Sequence, residues 1–273
     1  MGLNIRLETP DDHYAVEEIT REAFWVFWEE DENRRICNEH LLVHKLRSVD
    51  SLVPELNCVA ELDGKIVGHI IYTKSWIESE DGKKHETLTF GPLTVKPEYQ
   101  SKGIGRALMK HTFEKAEKLG YRAVLIFGIP DYYPRVGFKR AGDFGLTTSE
   151  GDVFDPFMVY PLYEGALDGI NGKYHIDPVY FSLTEEETLE FDKKFPAKEL
   201  HTFTPINELT DRLNPDAAKA ISSLGIKSLD IIKSKSQREL SSLPGIDDKA
   251  IGTIKEVMKK YKFPWGEGKF RPL

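Results

Sequence analysis

The stretch with the clearest chemical content is Gln100-Ser101-Lys102-Gly103-Ile104-Gly105-Arg106-Ala107, set between a strand pattern and an amphipathic helix pattern. Glycines at 103 and 105 let the chain turn tightly and bring main-chain amides close to a ligand. The helix that follows points unpaired N–H groups and the positive end of its dipole at the same place. Strand, glycine turn and helix N-terminus together make an anion site suited to a pyrophosphate, and Lys102 and Arg106 add positive charge. Two other nucleotide signatures do not fit. A P-loop needs Gly, four residues and then Gly-Lys-Ser/Thr, which is absent. A G-x-G-x-x-G fingerprint would need glycine where Leu108 stands.

The elements that must position this turn follow from hydrophobic periodicity. A short strand is expected at 4–7, then a helix opened by Thr9-Pro10-Asp11-Asp12 and running through Ile19 and Phe24. Residues 38–46 place Leu41, Leu42 and Leu46 at helical spacing. Strands at 57–62 and 65–72 flank Asp63-Gly64, a strong hairpin signal. Residues 87–95 and 124–127 read as further strands, with the helix 103–119 between them. That alternation predicts an α/β domain with a mixed central sheet.

With 273 residues, 40% hydrophobic and 30% charged, the chain has the composition of a soluble protein of one domain and a smaller companion. No window approaches the roughly 18 consecutive apolar residues of a membrane span. The N-terminus lacks the layout of a signal peptide. Cys37 and Cys58, the only two cysteines, are too few for a disulfide framework or a thiolate metal site, so no metal and a cytoplasmic location are expected. The net charge of -8 is unevenly spread: residues 1–204 carry 24 Lys+Arg against 36 Asp+Glu, and residues 205–273 carry 13 against 9. An acidic body opposes non-selective nucleic-acid binding and favours a cationic, amine-bearing substrate, while the basic tail keeps a local contact with nucleic acid open.

Residues 88–138 resemble the acetyl-CoA-binding core of the GNAT superfamily of N-acetyltransferases. The matching parts are Gly91-Pro92-Leu93-Thr94-Val95, the Q-x-x-G-x-G turn, the strand 124–127, and Tyr132-Tyr133-Pro134-Arg135-Val136-Gly137-Phe138. The Y-Y-x-R-x-G-F motif is similar to a branch of the superfamily whose substrates are mostly unassigned. The resemblance implies acetyl-CoA as cosubstrate and direct attack of a primary amine on its thioester. It implies that main-chain groups of Leu93 and Val95 hold the pantetheine arm, and that the amides of 101–107 hold the pyrophosphate. A main-chain N–H near Val95 would meet the developing oxyanion. The family's Y-x-x-x-G-F pattern places its general-acid tyrosine at Tyr133, with Tyr132 as fallback. An acid on the strand at 88–95 is common in the family, but Thr89 stands at the aligned position, and Glu86, Glu22, His40 and water remain alternatives for the base. The family builds its acceptor site from the N-terminal helices, which singles out Trp25, Trp28 and Glu30; a packed aromatic helix ending in a solvated acidic face is the competing reading.

Residues 205–273 change character to short helices separated by Gly and Pro. Asn214 is placed as an N-cap with Pro215 at the first helical position, and helices are expected at 236–243 and 247–261. This tail resembles a helix-hairpin-helix unit, similar to the C-terminal domain of the bacterial RNA polymerase alpha subunit, through Leu224-Gly225-Ile226 and Leu243-Pro244-Gly245-Ile246. Such units bind DNA phosphate through main-chain amides. Asp216, Asp247 and Asp248 would stand at that face and repel phosphate, which favours packing or protein contact over DNA. The organisation expected is therefore an acetyltransferase domain at 1–165, an extension and linker at 166–204, and a small all-α domain at 205–273. The rival functional reading is a regulator that senses CoA without turnover while its tail contacts DNA or polymerase.

Overall fold

The computed structural model describes residues 2–25, 36–130, 132–200, 204–232, 235 and 237–261. The chain divides into two compact units, the first built from residues 2–25 and 38–195 and the second from residues 36–37 and the described residues from Pro196 onward.

In the first unit, β1 (Asn4–Leu7) leads through a 3-10 turn into α1 (His13–Phe24), followed by α2 (Glu39–Leu46). Next come β2 (Cys58–Leu62), β3 (Lys65–Glu78) and β4 (Lys84–Val95), an antiparallel run in which β1 pairs with β2. Asp63 and Gly64 join β2 to β3 with φ of 52° and 76°, the left-handed pair that a two-residue hairpin of mirror-image type requires. Then α3 (Ile104–Lys118) crosses to β5 (Ala123–Phe127), which lies parallel to β4. The sheet is completed by β6 (Lys139–Arg140), β7 (Leu146–Thr148), β8 (Phe157–Pro161) and β9 (Gly172–His175), and the unit ends with α4 (Glu185–Asp192). The mixed sheet is thus an observed feature of this chain.

The two faces of the sheet are covered by different helices, as strand alternation dictates. Gly68 and Tyr72 face α3. A Cβ on Gly68 would lie 3.0 Å from Ile104 and 3.1 Å from Leu108, and the Tyr72 hydroxyl sits 2.7 Å from the Thr112 hydroxyl. His69 and Thr94 face the opposite side, where Thr94 meets Thr20 of α1 at 2.9 Å. Val16, Val43 and Val59 pack α1 and α2 onto that second face.

The expected extension contributes more than a linker. Residues 172–175 pair antiparallel with β3 and parallel with β7. Four residues beginning with glycine are too short to show an alternation, so this strand carried no sequence signal. The acidic run Glu185-Glu186-Glu187 is the first turn of α4, where the helix dipole favours negative charge, and Thr184 and Glu187 cap it reciprocally. Gly172 lies at φ 136°, and a Cβ there would collide with the carbonyl oxygen of Glu78. Gly172→Ala is expected to destabilise the protein by about 2–4 kcal/mol, measured as a lower urea midpoint. Gly169→Ala, also left-handed but with open space around it, is expected to cost about 1 kcal/mol. Equal effects at the two positions would refute this account of β9.

The second unit consists of α5 (Asn207–Thr210), α6 (Pro215–Ser223), α7 (Leu229–Ile232), α8 (Gln237–Ser241) and α9 (Asp248–Lys260). Leu209, Ile221, Leu229, Leu240, Ile254 and Val257 form its core. The Asn214 side chain accepts from the Ala217 amide at 2.8 Å, with Pro215 at the first helical position. Asp247 caps α9 in the same way, accepting from the Ala250 amide at 2.7 Å. Gly245, at φ 89°, lies where a Cβ would be about 2.9 Å from the backbone of Asp216.

Candidate active site

The feature that organises the site is the parting of β4 from β5. Between Ile70↔Leu93 and Tyr72↔Phe90 the β3–β4 register shifts, so that Gly91 and Pro92 together oppose Ile71 as a bulge. On its other edge β4 pairs with β5 only at Leu88↔Val124. The amide of Lys96 donates to Val67, which turns Lys96 and Thr94 toward β3. By alternation the main-chain groups of Leu93 and Val95 turn the other way, along the edge that β5 has left.

At the end of β4 the glycine turn has the conformation its composition implied. Ser101 and Gly103 are left-handed at φ 60° and 83°, and Gly103 is the N-cap of α3. Among the described residues, none of the amides from Ser101 to Arg106 has a main-chain partner, so the turn presents a row of free N–H groups. Ala107 differs, because its amide is committed to the first helical bond with Gly103 at 2.9 Å. Gln100 ties the turn to the strand, donating from Nε2 to the Val95 carbonyl at 3.1 Å. Lys102 folds back, donating to the Glu98 carbonyl at 2.8 Å with its Nζ 5.0 Å from the Tyr99 ring. Arg106 is exposed and makes no ion pair among the described residues, leaving it as the side-chain cation beside the turn.

Tyr133 lies in the opening between the strands. Its ring is 6.1 Å from Phe90 of β4 and 5.2 Å from Phe138, and a Cβ on Gly128, just past β5, would fall on its ring carbons. Its hydroxyl makes no hydrogen bond among the described residues. Burial pushes the phenol well above its ordinary value, so it stays protonated at neutral pH. The neighbouring Tyr132 puts its hydroxyl 3.6 Å from where a Gly105 Cβ would be, at the start of α3; burial raises its pKa too, against a smaller opposing pull from Arg106.

Residues 8–138 match the Acetyltransferase (GNAT) family. The structure of YhbS from Escherichia coli in complex with CoA superposes with a TM-score of 0.56 at 26% identity, covering 67% of this chain and 95% of that one. The first unit is thus similar in sequence and fold to GNAT acetyltransferases. A GNAT-family acetyltransferase from Brucella melitensis in complex with acetyl-CoA superposes with a TM-score of 0.51 at 25% identity, covering 66% of this chain and 98% of its own. By sequence, YhbS of Escherichia coli K12, an N-acetyltransferase itself uncharacterized, is 29% identical over 63% of this chain and 95% of its own.

On the face of the first unit opposite α3, the strands at the parting are floored by hydroxyls that sequence reading did not find. The Tyr180 hydroxyl is 3.2 Å from that of Thr73, and its ring is 3.8 Å from where a Gly91 Cβ would be. Tyr174 of β9 donates to the Leu125 carbonyl of β5 at 3.3 Å. Thr89, where the family's acid was sought, is buried opposite Thr73. Both tyrosines lie in the expected extension and linker at 166–204, so their only signal was residue type.

The remaining candidates are placed as follows. His40 is fully buried and 3.1 Å from Asp192, and burial lowers its pKa to about 4, leaving it neutral inside a packed cluster. Glu86 is exposed beside Lys74. Trp25, the C-cap of α1, lies 4.4 Å under the Arg21 guanidinium, which also grips Asp192 of α4 at 2.8 Å. Trp28 and Glu30 fall outside the described residues. Among the described residues, no three His, Cys, Asp or Glu side chains group as a metal site, and no helix is long and apolar enough to cross a membrane.

Proposed function

We propose that the protein is an acetyl-CoA-dependent N-acetyltransferase acting on a primary amine. The observation that carries this reading is the continuous main-chain surface formed by the unpaired edge at Leu93 and Val95 and the free amides of Ser101–Arg106. Pantetheine carries amide groups that suit a strand edge, and a pyrophosphate suits a helix N-terminus. Gln100, Gly103, Ile104 and Gly105 shape the turn, Arg106 adds charge, and Lys102 supports the loop from behind. Ala107 holds the first helical bond rather than a phosphate. The CoA and acetyl-CoA bound to the two superposed structures support the same ligand here.

Acetyl-CoA supplies an activated acyl group. The chain's residues have two tasks around it. Tyr133 gives a proton to the departing sulfur, for which a phenol protonated at neutral pH is fitted. The opposite face receives the amine, with Tyr180 and Thr73 at the bulge and Trp25, Trp28 and Glu30 as the N-terminal contribution. The second unit is read as a helix-hairpin-helix module in which Asp247 is used up as a cap and Gly245 packs on Asp216, an arrangement suited to protein contact or packing.

Calorimetric titration with acetyl-CoA, followed by thiol release across a panel of primary amines, tests the reading. Micromolar binding with amine-dependent thiol release is the expected result. Absence of CoA binding would remove the proposal.

A further inference from the structure

Among the described residues the exposed phenylalanines are Phe127, Phe154 and Phe181, whereas Phe90, Phe113, Phe138 and Phe157 are buried. Phe127 ends β5, Phe154 lies in the loop that leads into β8, and Phe181 follows Tyr180. Single apolar side chains on a surface are ordinary, but two of these are joined. Phe127 and Phe154 are 43% and 42% exposed, and their rings stack with centroids 5.7 Å apart and planes 15° apart. Val153, next to Phe154, is 52% exposed. An exposed apolar surface already stacked in this way marks a binding site.

Its place in the sheet ties it to the opening between β4 and β5. Counting on three residues from the paired Leu88 and Val124 brings Gly91 and Phe127 to one level on the two diverging strands. Val124 and Ile126 share a core with Leu108 and Phe113 of α3, while Ala123 and Leu125 belong to the core of the other face. By alternation Phe127 points to that other face, where the Tyr180 ring lies 3.8 Å from the position of a Gly91 Cβ. The opening is thus flanked there by Tyr180 on the β4 side and by Phe127 with Phe154 on the β5 side.

The stacked pair is held from behind. Phe127 has its ring centroid 5.3 Å from that of Phe157 and 6.1 Å from that of Tyr174. The loop carrying Phe154 is fixed by the Phe157 amide, which donates to the Phe154 carbonyl at 3.0 Å, and by the Arg140–Asp155 pair at 3.0 Å. A surface fixed in advance gives up little freedom when a flat ring lies on it.

We propose that Phe127 and Phe154 form the wall that selects the acceptor, and that the acceptor is an arylalkylamine, a primary amine borne on a short chain by a flat aromatic ring. The inference rests on the acetyl-CoA reading above and names the substrate class of that site. The acidic surplus of residues 1–204 attracts the amine as a cation, and the wall sorts amines by what carries them. In the transfer the neutral nitrogen forms a C–N bond to the acetyl carbon and the C–S bond breaks. Tyr133 protonates the sulfur and recovers, by way of solvent, the proton that the nitrogen releases.

Thiol release from acetyl-CoA with 2-phenylethylamine and ethylamine as probes tests the assignment. Wild-type protein should show a kcat/KM about tenfold higher for 2-phenylethylamine, the order of discrimination that an added apolar group gives in a hydrophobic site. In Phe154→Ala that ratio should fall to about twofold, mainly through KM for the aryl amine, with the Kd for acetyl-CoA within about twofold of wild type. The retained Kd checks folding. Should Phe154→Ala lose it, Phe154→Leu keeps apolar volume without the ring face, and its ratio should be about threefold. Equal efficiencies for the two amines, a preference that survives loss of the Phe154 ring, or bound acetyl-CoA with neither amine acetylated overturns the arylalkylamine assignment and leaves the coenzyme reading standing. Failure to bind acetyl-CoA overturns both.

Discussion

Replacing Tyr133 with phenylalanine is expected to lower kcat by about 10²- to 10⁴-fold, the range for loss of a positioned acid, with the Kd for acetyl-CoA within about twofold of wild type. The substitution removes one oxygen and keeps the ring that packs on Phe90 and Phe138, so the opening between β4 and β5 retains its shape. Because burial raises the phenol well above its ordinary value near 10, Tyr133 should impose no alkaline loss of wild-type activity below about pH 10. Tyr132→Phe is the control. Its hydroxyl stands at the start of α3, so its loss should weaken coenzyme binding more than it slows turnover. Measurement of kcat and Kd for both variants decides the matter: unaltered turnover in Tyr133→Phe removes it from the reaction, and a larger kcat loss in Tyr132→Phe exchanges their roles.

Much of this site could be read before the structure because its signals are local. Gly103 specifies a turn by its left-handed backbone, and Asp63-Gly64 specifies a hairpin by the left-handed pair it tolerates. Asn214 followed by Pro215 marks a helix start through one side-chain bond and one missing N–H. In each case the cause and the signal lie within a few residues, and tertiary context has little to override.

The acceptor face was not legible, for the opposite reason. Tyr180 reaches Gly91 only because β9 pairs with the far end of β3, a contact about a hundred residues away in sequence. The direction of Lys102 has no local signal either, since the Glu98 carbonyl and the Tyr99 ring hold its ammonium. Likewise Trp25 reads as an acceptor-site residue or a packed aromatic, while the structure joins it through Arg21 to Asp192 of α4. Long-range pairing of this kind leaves no periodicity to detect.

Acidification should destabilise the first unit well before its carboxylates titrate. His40 and His69 are both fully buried, and burial, outweighing the nearby Asp192 and Glu8, lowers each pKa from 6.5 to about 4. His69 shows why the neutral form is held. Its Nε2 donates to Asn57 Oδ1 at 2.8 Å, while Asn57 Nδ2 donates to Glu8 at 2.6 Å, and its Nδ1 is buried without a partner. A proton added there would create a buried donor with nothing to accept it. Since the unfolded histidines titrate near 6.5 and the folded ones near 4, the unfolded chain binds the extra protons between those values. Stability is therefore complete above about pH 6.5 and falls as the pH drops toward 4. At pH 5 each histidine accounts for about 2 kcal/mol, so the pair removes about 4 kcal/mol, a large share of the roughly 5–15 kcal/mol typical of a folded domain. Urea denaturation of the first unit at pH 7.5 and pH 5 measures this directly. The variant His69→Asn should start from lower stability at pH 7.5, because the site no longer fills, yet lose only about 2 kcal/mol on going to pH 5. A wild-type midpoint unchanged between the two pH values, or a variant with the same pH dependence as wild type, would show that the buried rings are not what resists protonation.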